Sequence, residues 1–377
     1  PKHRAWPGSK QLQATSTGLA LMAEQAPCVQ REVHPCELCQ ALSDSADLLA
    51  VQAASGEETG CCVLLCHNLQ AVLRCLQSAC EDRGIACEII LHLVATDLPA
   101  RLVACLEALD FEARKDTMRL FGAVLRLGPL VGADAQVIEY IRTHPCFSQL
   151  LLEGSGHPEL FCPCAEMLRS CCRAPELVAF LQCQKAMSRL IELAKHKTFD
   201  ISTEAFSSLR ELLLGHKAVS AAYLEDHFDE FFGHFNTLLQ TEDYVVQRQA
   251  LKLLGQVLLD TSFAQVMVAY VGNERYMRIH MNLLRDVSKT IQFDAFHIFK
   301  IFVANPHKPH RVHQILYRNK GPLMQILRRL AIKREIDESL SQDLTVVLSV
   351  LGTLKAPAPA VVARELQLED PVVAVAA

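Results

Sequence analysis

One helical pattern returns every 45 residues in the C-terminal half of this chain, and that recurrence constrains the fold more than any other feature. Three segments align when Ala205, Ala250 and Ala295 are superimposed, and apolar residues then coincide around each alanine. HEAT and armadillo arrays repeat every 40 to 47 residues or so, because their helices bury apolar faces by stacking on neighbouring repeats. We therefore predict an all-α, armadillo/HEAT-like helical repeat solenoid, a curved rod with a concave binding face. The coinciding residues are Ile201, Val246 and Ile291, then Phe206, Leu251 and Phe296, then Leu209, Leu254 and Phe299.

Helical spacing of apolar residues extends over almost the whole chain, with glycine and proline clustered between helical segments. Two looser copies of the pattern lie upstream, at 111–125 and 160–172. The sequence predicts a poorly ordered leader over 1–40, an armadillo-like helical repeat domain over 41–355 and a flexible Ala/Pro/Val-rich tail over 356–377. No apolar run reaches the roughly 18 residues that a bilayer-spanning helix needs. We therefore expect a cytoplasmic protein without membrane insertion.

A second stripe of residues lies away from the predicted core. Tyr244, Arg248 and Lys252 are about 150° around their helix from the apolar set that contains Ala250. Stacking of the repeats would align such stripes into one surface, and aromatic and basic side chains together indicate a protein partner. The same offsets give Phe199, Thr203 and Ser207 one repeat earlier, and Lys289, Phe293 and His297 one repeat later.

The segment 286–305 contains four phenylalanines within ten positions, interrupted by lysine and histidine. Helical spacing predicts that Phe296, Phe299 and Phe302 enter the core. Phe293 falls on the second stripe, where it can either contact a partner or pack against the next helix. The pattern alone leaves both alternatives open.

Charge is segregated along the chain. Residues 275–334 contain thirteen lysines and arginines but only two acids, so this segment carries a charge of +11. Because the net charge of the whole chain is −5, the remaining residues carry −16. A basic helical array can bind nucleic acid, and a HEAT-type nucleic-acid-associated protein is the alternative function. Because no nucleic-acid-binding motif accompanies the segment, an acidic or carboxylate-bearing peptide is the favoured partner.

Sequence motifs of catalysis are missing. The chain has no P-loop, nucleophile elbow, zinc-protease, protein-kinase or EF-hand signature, so we predict no enzyme, no catalytic residue and no cofactor. Its 16 cysteines are expected to be reduced and mostly small core residues. A zinc site or thiol sensor on Cys36, Cys39, Cys61 and Cys66 is a further alternative, but the spacings match no finger or ribbon pattern, and we predict no metal site.

Three stretches closely resemble one protein family. TFDISTEAF (198–206), DYVVQRQALKLLGQVLLD (243–260) and MNLLRDVSKTIQFDAFHIFKIFVANPHK (281–308) are similar to the scaffold proteins of the calcium-binding protein 39, or mouse protein twenty-five, family. The resemblance is specific over about 197–308 and recognisable from about residue 100. Despite the family's name, the sequence gives no reason to expect calcium.

The resemblance implies a non-catalytic scaffold that activates a protein kinase or pseudokinase held on its concave face. In animals the clients are STRAD pseudokinases, through which the liver-kinase-B tumour suppressor is activated, and sterile-twenty-type kinases, whereas fungal relatives serve NDR-type kinases. The family's kinase-contacting residues fall on Phe199, Tyr244, Arg248 and Lys252. These are also the aromatic and basic residues that spacing alone places on the second stripe.

The resemblance further implies a pocket for the C-terminal Trp-Glu-Phe peptide of the pseudokinase, formed here by Met281 and Arg318. Relatives have lysine at the second position, and arginine keeps its charge but not its hydrogen-bond geometry. One departure concerns 260–265, where DTSFAQ replaces a turn that contains a basic residue in relatives. Whether contact with a third, catalytic partner persists is therefore left open.

Overall fold

The computed structural model describes residues 34–55, 61–78, 83–183, 185–331 and 338–356. Within these ranges the regular elements are nineteen α-helices and two short 3-10 helices, Leu106–Ala108 and Thr261–Phe263. The first ten helices are α1 (Pro35–Ser55), α2 (Cys61–Ser78), α3 (Arg83–Ala95), α4 (Leu98–Ala104), α5 (Phe111–Val131), α6 (Asp134–Thr143), α7 (Pro145–Gly154), α8 (Phe161–Cys171), α9 (Pro175–Cys183) and α10 (Ala186–Leu193). The remaining nine are α11 (Phe199–Leu214), α12 (Lys217–Asp226), α13 (Phe228–Leu239), α14 (Tyr244–Leu258), α15 (Ala264–Gly272), α16 (Glu274–Leu283), α17 (Lys289–Ala304), α18 (His310–Ala331) and α19 (Glu338–Thr353).

Each repeat contributes one helix to a continuous row. α5 packs on α2 and α8, α11 packs on α8 and α14, and α17 packs on α14 and α19. We call this succession of α2, α5, α8, α11, α14, α17 and α19 the stacked row. The two looser copies of the sequence pattern, 111–125 and 160–172, lie in α5 and α8 of the row. The predicted all-α helical repeat solenoid is confirmed.

The residues aligned by the 45-residue step form the core between helices of the stacked row. All twelve of them, including Ala205, Ala250 and Ala295, are at most 4% exposed. Phe296, Phe299 and Phe302 are fully buried, as their spacing predicts. Burying a phenylalanine contributes about 1.5–3 kcal/mol, so this packing holds neighbouring repeats together.

The three helices also begin at equivalent positions. The carboxylate of Asp243 accepts hydrogen bonds from the N–H groups of Val245 (2.8 Å) and Val246 (3.1 Å) and so caps α14. Ser288 caps α17 in the same place. Thr198 precedes α11 at the equivalent position but makes no side-chain cap bond. Because the helix starts and the buried positions are equivalent in α11, α14 and α17, the residues opposite the core also occupy equivalent positions on the three helices.

A buried polar triad joins α13, α15 and α16. The hydroxyl of Tyr270 donates to Asn236 Oδ1 at 3.0 Å and lies 3.0 Å from Nε2 of His280. Which of Tyr270 and His280 donates in their bond depends on the tautomer of the imidazole. Burial lowers the pKa of His280 to about 3. The imidazole is therefore neutral at physiological pH.

The ends of the chain bear on the predicted domain limits. α1 begins at Pro35, inside the segment predicted as a leader over 1–40. Residues 1–33 and 357–377 lie outside the described ranges, so the leader and the tail remain predictions.

Membrane-spanning potential is small in the described ranges. No single helix there is long and apolar enough to cross a bilayer. The consecutive segments Tyr244–Leu258 and Thr261–Gly272, bent by 81°, meet the length and composition criteria only as a pair.

The buried histidine predicts a specific pH dependence of stability. His280 titrates near pH 6.5 when unfolded but near pH 3 when folded. Between these values the unfolded chain binds a proton that the folded chain does not, so stability is lost as the pH falls below 6.5, by up to about 1.4 kcal/mol per pH unit. His280→Gln keeps a hydrogen-bonding group without this titration. In urea denaturation between about pH 7 and about pH 5, the variant should lose less stability than the wild type; equal losses would contradict a neutral, buried His280.

Candidate protein-binding face

The first, fifth and ninth residues of α11, α14 and α17 form a continuous set of positions, which we call the outer stripe. In all three helices the third and seventh residues are buried, so the outer stripe lies on a different side from the core. Its members are Phe199, Thr203 and Ser207, then Tyr244, Arg248 and Lys252, then Lys289, Phe293 and His297.

Exposed aromatic rings begin α11 and α14. Phe199 is 63% exposed and Tyr244 is 43% exposed, and they occupy the same position on helices that pack side by side. A single exposed aromatic residue is ordinary on a protein surface. Here two exposed aromatic residues occupy equivalent positions of neighbouring repeats, and the exposed Lys252 lies two turns further along α14 than Tyr244. Aromatic residues are enriched where partners bind.

Arg248 is held between α14 and α17. Its Nε lies 3.5 Å from Oδ2 of Asp294, and the side chains are 39% and 21% exposed respectively. Neither of these two atoms finds a hydrogen-bond partner among the described residues. The ion pair thus orients the guanidinium while leaving hydrogen-bond donors of Arg248 for an external carboxylate, to which a guanidinium can bind through two parallel bonds.

The third helix of the outer stripe differs from the other two. Phe293 is partly buried and packs against the core, which favours the packing alternative for this residue. Burial, together with the nearby Lys300, lowers the pKa of His297. Lys289 remains exposed. The exposed aromatic residues of the outer stripe therefore lie on α11 and α14, and α17 contributes an exposed cation.

The two residues of the implied peptide site differ in exposure. Met281 on α16 is 7% exposed, whereas Arg318 on α18 is exposed, and the two helices pack on each other. Only Arg318 is therefore openly accessible from solvent.

The segment 260–265 has an evident structural role. Asp260 caps the short helix Thr261–Phe263 by accepting from the N–H of Ser262 at 2.9 Å, and it binds Nζ of Lys217 at 2.7 Å. The hydrogen bond from Lys217, supported by that from Ser262, lowers the pKa of Asp260 to about 2. The segment keeps Asp260 but lacks the basic residue that the family resemblance implies for this turn, and the bond from Lys217 ties α12 to the loop after α14.

The basic segment uses several of its charges internally. Lys300 pairs with Asp343, and Nζ of Lys320 donates to the carbonyl of Gly352 at 2.8 Å. Further cations are exposed, namely Arg275, Arg278, Arg285, Lys289, Arg311, Arg318, Arg328 and Arg329. They lie on the last two repeats rather than along the whole row.

The thiols proposed as a zinc site are not gathered together. Cys36 and Cys39 belong to no group of three metal-binding side chains in the part of the chain that the structure describes, and the side chain of Cys61 lies outside that part. Burial raises the pKa of Cys39 and of Cys164 to about 12, as expected of protonated core thiols.

α5 repeats the aromatic and basic residues of α14, a recurrence that is not among the predictions made from the sequence. Phe111, Lys115 and Arg119 occupy the first, fifth and ninth positions, and Phe111 is 73% exposed. Nζ of Lys115 lies 6.0 Å from the centre of the Phe111 ring. The aromatic–basic–basic order of Tyr244, Arg248 and Lys252 thus recurs in the N-terminal half of the stacked row. Applying the same offsets to the segment 111–125 would have found it.

Comparison with known proteins agrees with this architecture. A family model described as Mo25-like matches residues 29–355. This chain belongs to the Mo25-like family. A Homo sapiens relative, calcium-binding protein 39-like, is 32% identical over 329 residues, which cover 86% of this chain and 96% of that protein. The Mo25-like protein of Schizosaccharomyces pombe is 34% identical over 297 residues, which cover 76% of this chain and 90% of that protein.

These matches confirm the family resemblance that the three sequence stretches indicated, and they extend well beyond those stretches. In Emericella nidulans, the conidiophore development protein hymA is 34% identical over 274 residues, covering 66% of this chain and 71% of that protein. None of these three relatives has an enzyme name. Among solved structures, a designed armadillo repeat protein in complex with a (KR)4 peptide covers 68% of this chain and 99% of that chain, at 14% identity and a TM-score of 0.43.

The ion pair on the outer stripe predicts a small effect on stability. Asp294→Asn should lower the free energy of unfolding by no more than about 1 kcal/mol, because the pair is partly exposed to water. Urea denaturation measures the change, with Asp343→Asn, which removes the partner of Lys300, as a matched control. A loss of about 3 kcal/mol or more is the mark of a buried pair and would contradict the view that Asp294 merely orients Arg248.

Proposed function

We propose that this member of the Mo25-like family is a non-catalytic scaffold that binds a protein kinase or pseudokinase on the outer stripe and activates it. The observation that carries the proposal is that Phe199, Tyr244 and Lys252 are exposed and Arg248 is partly exposed on adjacent helices of the stacked row. Family membership adds support, because the resemblance implies kinase-contacting residues at these positions. The clients proposed are of the STRAD, sterile-twenty or NDR type, and the site of action proposed is the cytoplasm.

The chemistry of the outer stripe defines the client surface that it fits. The rings of Phe199 and Tyr244 need an apolar patch, and the guanidinium of Arg248 needs a carboxylate in front of it. Lys252 adds a second positive charge one turn further along α14. An apolar patch flanked by two acidic residues on the client therefore complements this part of the face.

Activation follows from differential binding. A rigid face that fits the active arrangement of a kinase better than the inactive one shifts the population by the difference in binding free energy. A tenfold shift requires only about 1.4 kcal/mol. No chemical step on the scaffold is needed. The apolar core between the helices of the stacked row supports the outer stripe and keeps it rigid.

A second contact is proposed at Arg318. Its exposed guanidinium can bind a carboxylate of an acidic or aromatic C-terminal peptide of the client. Because Met281 is buried, the peptide's aromatic side chain would have to displace neighbouring side chains to reach it. Arg318 is therefore the first point of contact in this proposal.

Reversal of one charge tests the proposed docking face. The purified full chain, immobilised, should retain a kinase or pseudokinase from an extract of the native cell, and Arg248→Glu should reduce that recovery about tenfold or more, because like charges would then oppose each other. Arg142→Glu is the matched control, since Arg142 is exposed on α6, outside the stacked row.

Equal recovery of the kinase by wild type and Arg248→Glu would refute the docking face. Salt-sensitive retention of RNA in place of a kinase would instead support the alternative nucleic-acid function of the 275–334 segment.

The same assay tests whether docking extends to α5. Phe111→Ala should lower recovery of the same client, because it removes an exposed ring from the proposed contact. Val51→Ala, which shortens a residue 67% exposed on α1 outside the row, should have no effect. If Phe111→Ala also has no effect, the contact is limited to α11 and α14.

A further inference from the structure

Two thiols and one carboxylate converge between the first two helices of the stacked row. Cys62 and Cys66 are four residues apart on α2 and so lie on one face of that helix. Asp110 immediately precedes α5, which packs on α2. One ligand atom from each residue lies within 4.8 Å of the other two.

The distances match those of a tetrahedral metal site. Sγ of Cys62 lies 3.4 Å from Oδ2 of Asp110, and Sγ of Cys66 lies 3.9 Å from the same oxygen. With zinc–sulfur bonds of about 2.3 Å and zinc–oxygen bonds of about 2.0 Å, a tetrahedral ion separates sulfur from oxygen by about 3.5 Å. Small side-chain rotations would therefore bring all three atoms to bonding distance of one ion.

Asp110 has one oxygen available for this purpose. Its Oδ1 accepts a hydrogen bond from the N–H of Ala113 at 2.8 Å and thereby caps α5. Oδ2 forms no bond with the helix cap and lies near both thiols, whereas Sγ of Cys66 is 3.9 Å from Oδ1 as well. The cap thus holds the carboxylate beside Cys62 and Cys66 and leaves Oδ2 available to a metal ion.

The ligand types select a class of metal. Thiolates favour zinc and other soft or borderline cations, whereas calcium takes six to eight or so oxygen ligands, of which this cluster supplies too few. Three protein ligands leave a fourth tetrahedral position, which in such sites is taken by water or by another ligand. The half-buried thiols and the exposed carboxylate are accessible to an ion from solvent.

We propose that Cys62, Cys66 and Asp110 bind one zinc ion, with the fourth position open to solvent. On binding, the two thiols release their protons to the solvent and form two zinc–sulfur bonds, while Oδ2 of Asp110 provides the third bond. The ion then links α2 to the start of α5, beside Phe111. It stabilises the folded chain by mass action, because the unfolded chain does not hold the three ligands together.

The site can be tested by titrating the metal-free full chain with Zn²⁺. A non-chelating reductant keeps the thiols reduced, and a chromophoric chelator competes for the ion and so reports its affinity for the protein. Cd²⁺ in a parallel titration reports thiolate ligation through its ultraviolet charge-transfer band. Wild type should bind one equivalent more tightly than any further ions and should show the band. Cys62→Ser/Cys66→Ser should lose that equivalent and the band. Cys162→Ser/Cys183→Ser, which removes two exposed thiols elsewhere, should retain both.

Asp110→Asn provides the sharpest variant, because asparagine caps a helix as well as aspartate does. It should leave the circular dichroism and the unfolding midpoint of the metal-free chain nearly unchanged. It should weaken zinc binding by about tenfold or more, because even the loss of a group that only hydrogen-bonds to a metal ligand weakens binding by about that much. The midpoint of thermal unfolding should rise with zinc in wild type and not in the double serine variant. Failure of wild type to bind an equivalent, or binding that is unaffected by Cys62→Ser/Cys66→Ser, would overturn the proposal.

Discussion

The packing of each row helix on its counterpart in the next repeat is the constraint on which the rest of this protein depends. Ala205, Ala250 and Ala295 are small enough to let neighbouring helices approach, and the larger apolar residues around them fill the contact. Once these residues are buried, the helical period fixes which residues of the same helix point away from the core. Equivalent buried positions in successive repeats therefore give equivalent surface positions, which together form one face.

The outer stripe combines fixed backbones with side chains that keep free binding capacity. Asp243 sets the start of α14 and so places Tyr244, while Asp294 on the next helix orients Arg248 without occupying all its donors. The cap contributes about 1 kcal/mol to stability, and the partly exposed ion pair at most about 1 kcal/mol. Their effect is to present an aromatic ring and a cation in a defined arrangement, which lowers the entropy lost when a partner binds.

The sequence predicted the helical class, the repeat and the core, because a 45-residue step with helical spacing can be read directly from apolar residues. It left Phe293 ambiguous, since whether that ring packs or is exposed depends on how α17 meets its neighbours. Burial of Met281 and the approach of Asp110 to Cys62 also depend on contacts between distant segments, which spacing along one helix cannot supply. The motif on α5 was readable in principle, because its offsets are those of α14.

Photo-crosslinking tests the central claim, that the outer stripe is where a client docks. A photoreactive phenylalanine analogue would replace Phe199, Tyr244 or, as a control, Val268, which is 56% exposed on α15 outside the stacked row. We expect crosslinks from positions 199 and 244 to a protein with a kinase fold, and none from position 268. Crosslinks to that protein from 268 alone, or none from 199 and 244 while the complex still forms, would contradict it.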